Sequence, residues 1–306
     1  MKNNIVDYFE DLNANKTINN KSKQKNIIIT PHRKSHMKNV RIEGCDNEYF
    51  IKESDNPGVA AAIASANMYN EIGLATPQVK HIKTQKPSPR YMAKTIQQNI
   101  SKIPNLNTTM AKDDIEYMKI TKEFWGNYKW EIFYNISFRM KLLSFMTKEC
   151  FDQFTSMFLV DELRTDGDRH NQNFFLYKYP FQGKYNGVIA IDNENMEVLK
   201  YCTDRSYDFD SFLASPYSSM TPQQTIDRTC YAQRVKDIRE LIQDGVLSQA
   251  NIETLQAAIN YDLPKEVKKA CREQGLFMGS AYNNIVTPIS KLHEYNHNTI
   301  GKDLGL

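Results

Sequence analysis

No two cysteines in this chain stand close enough in sequence to bind a metal together. Cys45, Cys150, Cys202, Cys230 and Cys271 are odd in number, widely spaced and free of any C-x-x-C pair. That spacing excludes a disulfide framework and a zinc site, and it fits reduced thiols in a cytoplasmic setting. Long apolar runs are missing too. The most apolar stretch, Val59 to Ala66, falls far short of the ~20 residues that span a bilayer. The opening residues, MKNNIVDYFEDLNANK, contain no apolar signal core, so no general secretory route is expected, although export by a dedicated system would leave no such mark. Charge of one sign is scarce: 39 Lys and Arg against 36 Asp and Glu leave +3, too little to argue for nucleic acid as a partner. No internal repeat is present. What remains is a chain of 306 residues, 41% hydrophobic and 25% charged, which is ordinary for a globular protein and long enough to bury a large core.

Punctuation divides the chain into two patterns. Residues 1–25 are polar and rich in Lys and Asn, and read as an extension with a short helix at Ile5 to Leu12. Strand signals follow at NIIIT (26–30), VRIEG (40–44) and EYFIKE (48–53). An alanine-rich helix is expected from Pro57 to Ile72, with proline in its first turn and Gly73 just past its end. TPQVKHIK and RYMAKTI read as two further strands, which makes a unit of five strands and one helix over 26–99. Beyond it, residues 100–306 are mostly helical. Apolar spacing predicts helices at 111–122, 124–148, 149–163, 222–243, 248–260 and 264–274, with Ser248 as an N-cap, Pro264 in a first turn and Gly275 after an end. Residues 198–220 read as irregular.

Chemistry concentrates in TDGDRHNQNFFLYK and the later VIAIDNEN. A polar loop, Asp166 to Asn173, follows an apolar run and precedes a strand-like FFLY; a second strand, VIAI, ends at Asp192. Asp168, Asn173 and Asp192 are therefore expected to bring three oxygen ligands to a magnesium nucleotide. Phosphoryl transfer needs an acid that orients the attacking hydroxyl and metal ligands that neutralise charge on the moving phosphate. Asp168 suits the first role, and Asn173 with Asp192 the second. Asp166 reads as an anchor or cap of the loop, and His170 as a buried histidine that holds backbone. No second His or Cys stands at ligand spacing from His170, which removes zinc.

The D-R-H-x-x-N loop followed by I-D-N resembles the protein-kinase-like superfamily in its atypical branch, the HipA-type kinases and the phosphatidylinositol 3- and 4-kinases. The resemblance spans residues 27 to 260 but rests on these few motifs. It implies an α+β, two-lobed kinase-like fold, with a small β-rich N-lobe and a larger helical C-lobe that carries a catalytic loop at 166–173 and a metal-binding strand end at 188–194. It implies ATP with Mg2+ or Mn2+, Asp168 as the catalytic acid, and Asn173 and Asp192 as metal ligands. The residues after Asp192 are Asn193 and Glu194, so the Phe and Gly of D-F-G are absent. Lys52, in YFIKES, matches the strand lysine that contacts the α- and β-phosphates. The usual glutamate partner of that lysine sits on the following helix, where this chain has no acid before Glu71 at the far end. The loop PHRKSHMKN has no glycine, so Arg33, Lys34, Ser35 and Lys38 with backbone amides are the groups left to clasp phosphates. Order alone makes RYMAKTI the hinge strand, with Met92 to Lys94 reading the adenine edge.

The acceptor implied is a hydroxyl, Ser or Thr of a protein, with a phosphoinositide as the alternative. Two other classes stay open. Asp166-Gly167-Asp168 is also the D-x-D of nucleotide-sugar glycosyltransferases, and the missing helix glutamate fits a pseudokinase used as an interaction module. Transfer of AMP in place of phosphate is a further variant. Ser206, Tyr207, Ser211, Ser215, Tyr217, Ser218 and Ser219 offer autophosphorylation or docking positions in a polar stretch that otherwise reads as loop. Lys265, Lys268, Lys269 and Arg272 form one cationic helix face, suited to an anionic or polyphosphate ligand or simply to solvent. The chain is expected to act in the cytoplasm, its own or that of a host reached as a bacterial effector.

Overall fold

A computed structural model describes residues 27–31, 37–42, 48–82, 90–94, 115–117, 131–170, 173–179, 182–204, 208–214 and 230–306. The first part is an antiparallel sheet of β1 (Ile27–Pro31), β2 (Met37–Ile42), β3 (Glu48–Glu53), β4 (Val79–Ile82) and β5 (Arg90–Lys94), in the order β1-β2-β3-β5-β4. β3 is central. Its Lys52 pairs with Met37 of β2 on one side and Tyr91 of β5 on the other. Strand alternation then sends the Lys52 side chain to the same face as that of Phe50.

Helix α1 (Asn56–Glu71) links β3 to β4. Asp55 caps its start by accepting from the Gly58 N–H at 2.7 Å, Pro57 occupies the first turn, and Gly73 with φ +87° follows the end. Only glycine adopts that φ without strain. α1 is buried almost all round: Val59, Ala60, Ala61, Ala64 and Tyr69 are wholly enclosed. Its alanines let a neighbour approach closely, and that neighbour is α9 (Leu263–Glu273).

The remainder is built around α4 (Lys148–Leu163), preceded by β6 (Ile115–Tyr117), α2 (Glu131–Tyr134) and α3 (Ile136–Phe145). β7 (Phe174–Tyr177) and β8 (Gly187–Ala190) follow, joined with β6 in a second antiparallel sheet of order β6-β7-β8. Then come α5 (Glu197–Asp204), α6 (Phe209–Ala214), α7 (Tyr231–Gln243), α8 (Gln249–Asn260), α9 and α10 (Ser280–Asn296), with a π-helical turn at His297–Gly301. One apolar cluster runs from Val59 of α1 through Phe154 and Leu159 of α4 to Ile289 and Ile300. The Ala190 N–H donates to the Ala75 carbonyl at 2.9 Å, which ties the end of β8 to the segment after α1.

Several expectations are corrected. The helix expected at 111–122 contains a strand, because Ile115-Glu116-Tyr117 alternates and finds the open edge of β7, with Ile115 opposite Tyr177. The helix expected at 124–148 breaks at Asn135, whose side chain accepts from the Phe138 N–H at 3.0 Å and starts a new helix. Residues 198–220 are not wholly irregular: α5 buries Val198 and Leu199, and α6 buries Phe209 and Phe212. α10 was not foreseen, since Pro288 lies inside it and obscures the helical pattern. The extension 1–25 and its short helix lie outside the described residues. No described helix is long and apolar enough to cross a membrane.

Candidate functional site

The site grows from the end of α4. Helix α4 stops at Leu163, and Thr165 then turns the chain with φ +62° into the loop that begins at Asp166. Asp166 is wholly buried. One of its oxygens accepts from the Asp168 N–H at 3.0 Å and the other from Arg164 Nη2 at 3.1 Å. Burial pushes the Asp166 carboxyl up to about 6; the charge of Asp161 adds to the rise, while Arg169 and Arg164 oppose it. Asn173 closes the loop from the other end. Its Nδ2 donates to the Asp168 carbonyl at 2.8 Å, and its own N–H donates to the His170 carbonyl at 2.9 Å.

Arg169 holds the centre and is almost wholly buried. Its Nε and Nη2 donate to the two oxygens of Asp161 at 2.8 and 3.1 Å, a bidentate pair that joins loop to helix. Nη1 donates to the Asn173 carbonyl at 2.5 Å and the Ile191 carbonyl at 2.6 Å, and Nη2 also reaches Asn193 Oδ1 at 2.6 Å. One guanidinium thus fastens α4, the Asp168 loop and the segment after β8. Tyr69 of α1 donates its hydroxyl to Asp161, and the Arg164 guanidinium lies 5.1 Å from the Tyr69 ring centroid. Desolvation raises the Tyr69 hydroxyl far above its ordinary range, with Asp161 adding to it.

β8 hands the chain to Asp192, which has φ +59°. Asp and Asn enter this left-handed region more readily than other non-glycine residues, and backbone strain of this kind gathers at functional sites. The Ile191 N–H donates to the Asn173 carbonyl at 3.0 Å, which sets the strand end against the loop. Lys52 arrives from β3, 140 residues away, and its ammonium meets Asp192 Oδ1 at 2.7 Å and also contacts Glu194. A recess of about 330 Å³ opens here, lined by Ser54, Asp55, Gly58, Asp168, Asp192, Glu194 and Lys200 among others. Its acids outnumber its lysines, and their carboxylate oxygens are hard donors of the kind that hold magnesium.

Of the residues singled out from sequence, Asp168 and Asp192 line this recess, Lys52 is ion-paired to Asp192, and Asn173 is buried and bonded to the Asp168 carbonyl. Glu71 does not join them. It is exposed at the C-terminal end of α1 and lines a different recess, of about 1020 Å³, with Lys80, Asp262, Lys265, Glu266 and Lys269. The reason is the length of α1, which carries its one acid away from Lys52. Met92 lies within β5 between two partners, Ile51 and Lys80, so its backbone is committed to the sheet and cannot read a base edge. Lys94 is one residue beyond the last β4 pair. Arg33, Lys34, Ser35, Ser206, Tyr207, Ser215 and Tyr217 to Ser219 lie outside the described residues.

The cationic face on α9 meets acids in that second recess. Lys80, Lys265 and Lys269 are matched there by Glu71, Asp262 and Glu266, and Lys269 lies 3.7 Å from Glu266. Sequence reading missed Arg169 as the fastener and Glu194 as a partner of Lys52. The signal for Glu194 was its place two residues after Asp192; for Arg169 there was none, since its partners come from α4 and from beyond β8.

No protein-family model matches the sequence, and no curated protein matches it. Two of the solved structures that this one is similar to are the following. The crystal structure of the Helicobacter pylori proinflammatory kinase CtkA aligns with a TM-score of 0.51 at 11% identity, over 90% of this chain and 93% of that one. HipA from Shewanella oneidensis MR-1, solved with HipB and operator DNA, aligns with a TM-score of 0.49 at 9% identity, over 94% of this chain and 67% of that one. The likeness to CtkA gives this chain a protein-kinase-like fold.

Proposed function

We propose that this kinase-like chain transfers the γ-phosphate of ATP to a hydroxyl group, Ser or Thr of a protein, with magnesium as the metal. The observation that carries the reading is that Asp168 and Asp192, from two separate segments, line one recess while Lys52, from a third, is ion-paired to Asp192. In this reading the five-stranded sheet belongs to a small lobe at 26–99, and residues 100–306 form the larger lobe. Lys52 holds the α- and β-phosphates. Asp168 orients the acceptor hydroxyl and takes its proton as the oxygen bonds to the γ-phosphorus and ADP departs. Asp192 and Asn173 would hold the magnesium, which neutralises charge on the phosphates when bound. Among the described residues no three Asp, Glu, His or Cys side chains are gathered to hold a metal alone. Magnesium ordinarily takes one or two carboxylates and completes its shell with water and substrate phosphate, so in this reading Asp192 and Asn173 suffice to hold it.

The four described cysteines are unbonded, and in this reading the chain acts in a cytoplasm, its own or that of a host. A protein acceptor is favoured because the fold shared with CtkA is kinase-like. The test is label transfer from γ-labelled ATP to a panel of proteins and phosphoinositides, in wild type, Asp168→Ala and Asp192→Ala. Transfer to protein that both substitutions abolish is the expected result. Label entering only from α-labelled ATP would mean AMP transfer, and no transfer in wild type would leave a pseudokinase.

A further inference from the structure

We infer that Glu194 is the positioning residue for Lys52, in the role that kinases give to a helix glutamate. This rests on the reading of Lys52 as the phosphate-binding lysine. The Lys52 ammonium contacts both Asp192 and Glu194, and the side chains of Lys52 and Glu194 are only 10% and 20% exposed. If Asp192 is committed to the metal, Glu194 is the carboxylate left to hold Lys52 when nucleotide is present. Helix α1 has no acid from Asn56 to Asn70, and Glu71 faces another recess.

The turn that carries Glu194 is itself immobilised. Asn193, between the two acids, is buried and held at both ends of its amide: Oδ1 accepts from Arg169 at 2.6 Å, and Nδ2 donates to Thr76 Oγ1 at 2.9 Å. Arg164 Nη2 lies 3.3 Å from the carbonyl oxygens of Asn193 and Asn195. A carboxylate on so fixed a turn fixes the lysine it binds. Lysine and metal ligand are then set by one three-residue turn, Asp192 to Glu194.

The test is a double-mutant cycle on the full chain with Lys52→Met, Glu194→Gln and both together, with Glu71→Gln as the control. Urea unfolding reads the pair without turnover. A coupling between Lys52 and Glu194 of about tenfold in the unfolding constant is expected, and none between Lys52 and Glu71. Phosphate release from MgATP reads the role. Glu194→Gln lowers kcat/KM for ATP by about tenfold or more, and the double variant falls no further than Lys52→Met. The magnesium concentration for half-maximal rate stays unchanged. Absent coupling, losses that multiply, or a raised magnesium requirement (which would make Glu194 a metal ligand) would each overturn the inference. A wild-type chain inert towards ATP would refute the kinase reading, while the unfolding cycle would still decide whether Glu194 holds Lys52.

Discussion

Asp192 shows how much a single backbone angle demands of its surroundings. Its φ of +59° is held by the donation of Arg169 to the Ile191 carbonyl and by the fixed amide of Asn193. Asparagine tolerates the same conformation, so Asp192→Asn should fold with unchanged circular dichroism while phosphate transfer drops by about 10²-fold or more. Arg169→Met is the opposite case. It strands Asp161 as a buried charge, and the unfolding free energy should fall by about 3–5 kcal/mol in urea titration. Asp166 predicts a pH signature. Its folded pKa, near 6, lies above the ordinary carboxyl value, so the folded state binds the extra proton between those two values. The stability this group contributes is full below the unfolded value and is lost as pH rises through about 6. The stability of wild type relative to Asp166→Asn should therefore fall from pH 4 to 6 and level off above about 7. At this scale Lys52, Asp168, Asn173 and Asp192 were singled out by type and order, and the fold pairs Lys52 with Asp192 and sets Asp168 and Asp192 on one recess. Arg169 was not, because a residue that works by reaching Asp161 and the Ile191 carbonyl gives no sign of its reach until the chain has folded.

Elements were legible where local signals and tertiary partners agree. α1 has its Asp55 cap, its early Pro57 and its closing Gly73, and β7 and β8 are short apolar runs bounded by polar turns. β6 was misread because three alternating residues are too few to outweigh a helical pattern, and pairing with the edge of β7 decided the matter. α5 and α6 were overlooked because their polar residues are many and each helix is short; their buried faces, Val198 with Leu199 and Phe209 with Phe212, are what hold them. The alanines of α1 invite a direct test. Ala61 is fully enclosed, so Ala61→Leu should destabilise the chain by about 1–3 kcal/mol through overpacking, measured as a lower urea midpoint at constant slope.

At the scale of the molecule, the recess joins groups from the segment between β3 and α1, the loop after α4 and the turn after β8, so a ligand bound there stabilises all three together. A magnesium complex of a non-hydrolysable ATP analogue at a hundred times its Kd should add about 2.7 kcal/mol of stability, visible as a raised Tm, and Asp192→Ala should abolish the rise. The apolar cluster that takes in both α1 and the helices from α4 to α10 bears on control. Many switches work by tilting one helix against a lobe. Here such a tilt would drag Val59, Ala60 and Ala64 into water and break the hydrogen bond from Asn67 to Glu266. In the proposed reading, control is therefore expected from occupancy of the recess and not from movement of α1.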